Sequence, residues 1–138
     1  MTTLDGQVEA LFPLGGPYDA DTTRAAAESI AALVRYLNHA TYHAESVPEP
    51  ATVDAVLRSL AAGTSGLDQL LRQLGQQLDG QVGRFGGRLY SDDGRDAVGV
   101  AAAVLGDLGV ARRRLTEAAA HLQDAAGQSS HLGVGEVR

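Results

Sequence analysis

The chain has 138 residues, of which 44% are hydrophobic and 20% charged, with no cysteine and no tryptophan. A single domain of this length buries roughly 70% of the surface its unfolded chain exposes, and the lack of cysteine excludes disulfides, thiolate metal sites and a cysteine nucleophile. The formal charge of −6, with Arg supplying all eleven basic residues, argues against a chain that grips phosphate backbones over its whole surface.

The opening Met1-Thr2-Thr3-Leu4-Asp5 is acidic and has no apolar run, so it does not read as a signal peptide. No stretch reaches the ~18 consecutive apolar residues of a membrane span. A cytoplasmic protein with no membrane partner is the expectation. Residues 1–20 read as a leader: Pro13, Gly15, Gly16 and Pro17 forbid one continuous helix. Val8, Leu11, Phe12, Leu14 and Tyr18 suit a short helix and a strap laid on the rest of the fold.

Three long helices are expected next. The first spans about 21–45, capped by Asp19 or Asp21, with Ile30, Leu33, Leu37, Ala40 and Ala44 on one face and Val34 beside them. Pro48 and Pro50 end it and open the second. That helix spans about 51–78 with a stripe of Val53, Leu57, Leu60, Thr64, Leu67, Leu71, Leu74 and Leu78. Gly63 and Gly66 interrupt it at about 1 kcal/mol each, which allows a kink or a break. Residues 79–94 read as a glycine-rich connection. The third helix spans about 93–126, capped by Asp93 or Ser91 and ended by Gly127, with Ala97, Ala101, Val104, Leu108, Ala111, Leu115, Ala118 and Leu122 inward. Residues 128–138 read as a flexible tail. The fold class is all-α: an antiparallel bundle of three long helices occupying 21–127, with an N-terminal strap and a C-terminal tail.

Few residues suggest chemistry. His39 and His43 are spaced to share a metal if both lie on one helix, with His121 or a carboxylate needed as a further ligand; one surface imidazole and one packed imidazole is the plainer reading. Arg84-Phe85-Gly86-Gly87-Arg88 looks like a fragment of an Arg/Gly-rich nucleic-acid segment, with Arg95 and Arg113 as further contacts. A flexible loop with an inward phenyl ring and solvated arginines is the plainer reading. Arg112, Arg113 and Arg114 fan over about 200° of a helix and so form no single patch; Arg112 and Arg114 are placed to pair with acids of the first helix. Asp92 and Asp93 suit the start of a helix dipole. The sequence contains no nucleophile elbow and no phosphate loop. No cofactor and no catalytic residue are assigned, and the chain is not expected to be an enzyme.

The third helix has one unusual face. Gly99, Ala102, Ala103, Gly106, Gly109 and Val110 lie opposite its inward stripe, where charged residues are ordinary. A second copy or another protein packed there would explain them, so the partner expected is a protein or the chain itself, in a homo-oligomer.

The stretches Leu33-Val34-Arg35-Tyr36-Leu37-Asn38-His39-Ala40-Thr41, Gly66-Leu67-Asp68-Gln69-Leu70-Leu71, Gly87-Arg88-Leu89-Tyr90 and Ser130-His131-Leu132 resemble a set of small helical proteins of Streptomyces and related actinobacteria, often encoded near plasmid-type or integrative-element genes. The resemblance covers most of 30–132 and carries no activity with it. It implies an accessory role around a mobile element.

Overall fold

The computed structural model describes residues 3–136 and contains four α-helices and no strand among them. They are α1 (Leu4–Leu11), α2 (Ala20–Ala40), α3 (Pro50–Phe85) and α4 (Ala97–Ser129). Single 3-10 turns occupy Ala44–Ser46 and Gly86–Arg88. The residues fall into two compact units, one up to Pro48 and one from Glu49 onward.

In the first unit, α1 is the short helix expected in the leader. Thr3 caps it by accepting the Gly6 N–H at 3.2 Å. Asp19, one of the two expected caps, starts α2 by accepting the Thr22 N–H at 2.8 Å. That bond and the Thr22 hydroxyl hold the Asp19 carboxyl below the ordinary carboxylate value. The helix ends at Ala40, five residues short of the expected Glu45. Local side-chain bonds take over there: the Thr41 hydroxyl donates to the Leu37 carbonyl at 2.7 Å, and the Ser46 hydroxyl reaches the Ala40 and His43 carbonyls.

The second unit is a helical hairpin. Asp54 meets Ser129, Asp68 meets Arg112, and Gly75 lies against Leu105 and Leu108. Numbers fall along α4 as they rise along α3, so the two helices are antiparallel. Their contact follows an unbroken three-four rhythm on both sides. On α3 it runs through Asp54, Leu57, Ala61, Thr64, Asp68, Leu71, Gly75, Leu78 and Val82, all buried or half-buried. On α4 it runs through Ala101, Leu105, Leu108, Arg112, Leu115, Ala119, Leu122, Ala126 and Ser129, likewise buried or half-buried. These are the a and d positions of a coiled-coil seam. Counting Asp54 as a on α3 and Leu105 as a on α4, the g positions are Val53, Leu60, Leu67 and Leu74 on α3, and Val104, Ala111, Ala118 and Ala125 on α4.

This register corrects half of the expected stripes. Leu57, Thr64, Leu71 and Leu78 belong to the seam, but Val53, Leu60, Leu67 and Leu74 lie on its flank. Ala101, Leu108, Leu115 and Leu122 belong to it, whereas Val104, Ala111 and Ala118 flank it. The seam accepts Asp54, Asp68 and Arg112 because each finds a partner in it. Arg112 Nε donates to Asp68 Oδ1 at 3.0 Å, and the Ser129 hydroxyl donates to Asp54 Oδ1 at 2.9 Å. Polar seam residues of this kind fix register, because a shift along the axis would leave them unpaired.

The helix limits differ from expectation for the same reason. α3 passes unbroken through Gly63 and Gly66, which sit on its outer side, and continues seven residues beyond Leu78. Gly80 and Gly83 weaken that extension by about 1 kcal/mol each, while Leu78 and Val82 prolong the seam. Gly86, with φ 52°, then closes the helix by sending its N–H to the Val82 carbonyl. α4 starts at Ala97 rather than Asp93. Gly94 turns the chain at φ 80°, and Asp96 caps the helix through the Gly99 N–H at 3.0 Å. Gly127 does not end α4, which runs on to place Ser129 in the seam.

Candidate interaction surface

The seam leaves much of the hairpin uncovered. Its most buried residues are small: Ala61, Gly75, Ala101, Ala119, Ala126 and Ser129. Gly75 is the point of closest approach, where a Cβ would stand 3.3 Å from Leu105 Cδ2 and 3.6 Å from Leu108 Cδ1. Two helices alone cannot bury the large side chains beside such a seam, and Leu74, at 49% exposure, shows the result.

The two flanks of the seam differ in kind. In an antiparallel pair the e positions of both helices share one side and the g positions share the other. The e side carries Arg58, Ser65, Arg72 and Asp79 from α3, and Ala102, Gly109, Thr116 and Gln123 from α4. The g side carries the Val/Leu row of α3 and the Val/Ala row of α4 given above, with Leu60, Leu74 and Val104 exposed. From Pro50 to Gly83 every charged residue of α3 lies at a or e: Asp54, Arg58, Asp68, Arg72 and Asp79. The rest of that helix surface is free of charge. Ser59, Gln69, Gln73, Gln76 and Gln77 make its outermost strip polar, and the apolar part is the g row with Val56 and Leu70 beside it; an exposed apolar row of that length is uncommon on a folded protein. Sequence reasoning placed these leucines in the core and so missed the surface; the confinement of charge to two neighbouring heptad positions was the signal that could have found it.

Of the expected interface on α4, Ala103, Gly106 and Val110 point away from α3, whereas Ala102 and Gly109 sit at e positions beside the seam. Ala102, Ala103, Gly106 and Val110 are exposed, as is Gly99, and Gly109 is half-buried. Gly99 has a local explanation, since a Cβ would stand 3.3 Å from the capping carboxylate of Asp96. Gly106 faces open space. The arginine run divides. Arg112 pairs with α3, not with the first long helix as expected, and Arg114 bonds Glu117 of its own helix at 3.4 Å. Arg113 stays exposed.

At the loop end, Leu78, Leu89, Tyr90, Asp92, Val100 and Val104 are among the residues lining an open hollow of about 530 Å³. The Arg84 and Arg88 guanidinium groups lie over the Phe85 ring, 4.8 and 5.7 Å from its centroid. Arg95 is engaged with Asp93, which also accepts the Ser91 hydroxyl and the Arg95 N–H. The Ser91 bond first, then those from Arg95, holds the Asp93 carboxyl below its ordinary value. Asp93 therefore shapes the turn before α4. The stretch 79–96 sets Asp79, Asp92, Asp93 and Asp96 against three arginines, so it gathers no net positive charge.

His39 lies in the last turn of α2, but His43 is beyond the helix end, in extended backbone with φ −107° and ψ 126°. The one-turn spacing that would aim both imidazoles at one ion is therefore lost. They share a shallow hollow with Asn38 and Tyr42, and the Tyr42 and His43 rings meet edge to face at 6.4 Å. Among the described residues no three of His, Asp and Glu gather closely enough to hold a metal ion. No helix among them is long and apolar enough to cross a membrane.

Compared with known proteins, the chain matches no protein-family model, no curated protein and no solved structure.

Proposed function

We propose that this protein is a non-catalytic helical interaction module that self-associates or binds another helical protein. The observation that carries the reading is the charge-free outer side of α3, continuous with the g positions of α4. A surface of that length and composition is costly to leave in water and suits another apolar helical face. The small outer face of α4 around Gly106 is a second surface for the same role. The antiparallel three-helix bundle read from the sequence is the single-chain version of this reading, in which the chain supplies its own third long helix. The resemblance to small actinobacterial proteins supplies the biological setting, an accessory role around a mobile genetic element.

The nucleic-acid reading has less support. Arg84 and Arg88 are occupied by Phe85, and Arg95 by Asp93. A metal-dependent reading has less still, since His43 is off the helix. The test is affinity capture with the full chain from its host, alongside DNA retention and metal analysis. A helical protein or the chain itself is the expected catch. Salt-dependent DNA retention that disappears in Arg84→Ala/Arg88→Ala, or one tightly held metal ion per chain, overturns the reading.

A further inference from the structure

The g side has an internal asymmetry. α3 contributes a ridge of Val53, Leu60, Leu67 and Leu74; α4 contributes a trough whose floor is Ala111 and Ala118. Ridge and trough lie side by side on one face. A half-turn about a line parallel to the helices sets the ridge of one hairpin over the trough of another, and the same contact recurs in the opposite sense. Resting on the reading above, we propose that this face binds a second copy of the chain, hairpin on hairpin. The result is a four-helix arrangement in which every neighbouring pair of helices is antiparallel.

Three features favour a second copy over other occupants. Neither row carries a charge, so a face meeting its own copy buries no like pair, whereas a nucleic acid or a charged peptide finds nothing to complement. The occupant's length matches, because another α3–α4 hairpin is as long as the face itself. The area is sufficient: about 42 Å by about 18 Å gives roughly 800 Å² per copy, the size of a standard stable interface. Asp107 and Arg114 border the α4 row and would form a polar rim.

Sedimentation equilibrium of the full chain at micromolar concentration tests this, with Leu67→Glu, Ala118→Glu and Gly106→Arg chains beside it. Ala118 is exposed on a helix, where Glu is well tolerated, so that variant keeps the hairpin even if Leu67→Glu does not; circular dichroism checks both. Twice the chain mass is expected for the native protein and for Gly106→Arg. Single mass is expected for Ala118→Glu, with association weakened at least about 100-fold by the buried charge. Retention of the double mass by Ala118→Glu overturns the proposal. Loss of it in Gly106→Arg alone moves the contact to the outer face of α4, which also overturns the proposal yet leaves an interaction module. A native chain of single mass overturns it too, and the broader reading then stands or falls on the affinity capture.

Discussion

The two flanks of the α3–α4 seam are built from the same two helices at the same heights, yet they answer to different surroundings. One sets Arg, Ser and Asp of α3 against Ala, Gly, Thr and Gln of α4; the other aligns Val and Leu against Val and Ala. A helix that met water on both flanks would show the first pattern twice. The contrast teaches that this hairpin is asymmetric about its own seam, and that the asymmetry is written mostly on α3.

Four experiments break or sharpen that contrast. The largest effect belongs to the seam, which sets the scale for both flanks. Ala126 is 2% exposed, and Ala126→Glu is expected to destabilise the hairpin by about 3 kcal/mol or more, since the new carboxylate has neither room nor partner. Urea denaturation followed by circular dichroism measures it. Next come two adjacent leucines. Leu71 is half-buried in the seam, and Leu70 is 40% exposed beside the g side. Leu71→Ala should cost about 2 kcal/mol. Leu70→Ala should cost below about 0.5 kcal/mol at concentrations where the chain is monomeric. Equal losses at the two sites would place the seam and the g side in one core and remove the distinction between the two flanks.

A smaller effect is expected from the ion pair in the middle of the seam. Asp68 and Arg112 are each 35% exposed, so solvent screens much of their attraction. A double-mutant cycle with Asp68→Ala and Arg112→Ala should give a coupling of about 1 kcal/mol. A coupling near zero would leave register to Gly75 and the leucines alone. The smallest effect is a pH dependence. Arg58 first, and the Ser129 hydroxyl with it, hold the Asp54 carboxyl below its ordinary value. The folded state therefore binds this proton less readily than the unfolded one. The stabilisation is complete above the ordinary carboxylate range near pH 4 and fades as the pH falls through the lowered value. Asp54→Asn should flatten that part of the acid limb, and denaturation curves at pH 5 and pH 3 would show it.

Much of the helix content was legible in the sequence, because three-four spacing, Asp19 and Pro50 act locally. The seam was legible only by half. A search for apolar stripes keeps Leu57, Leu71, Leu108 and Leu115, and then prefers Leu60, Leu67 and Leu74 to Ala61, Asp68 and Gly75. The structure chooses the second set because Asp68 and Arg112 satisfy one another and Gly75 lets the helices approach. Those are facts about pairs of residues thirty or more positions apart, which periodicity cannot see. The surface went unread for the same reason: leucines assigned to the core are not sought outside it. The loop misled in a simpler way. Gly80 and Gly83 look like breakers, but a helix already held along its length by a partner tolerates both.

The bond from Ser129 to Asp54 brings the last turn of α4 beside the first turn of α3. A rearranged chain is therefore conceivable in which a short linker joins residue 130 to residue 49 and new termini open within 86–94. Every seam contact survives that rewiring, and only the order of closure changes. In the native connectivity the contacts next to the loop join residues near in sequence, and the Asp54–Ser129 contact closes the widest span. In the permuted chain the spans are reversed, so the hairpin would zip from the end that now closes last.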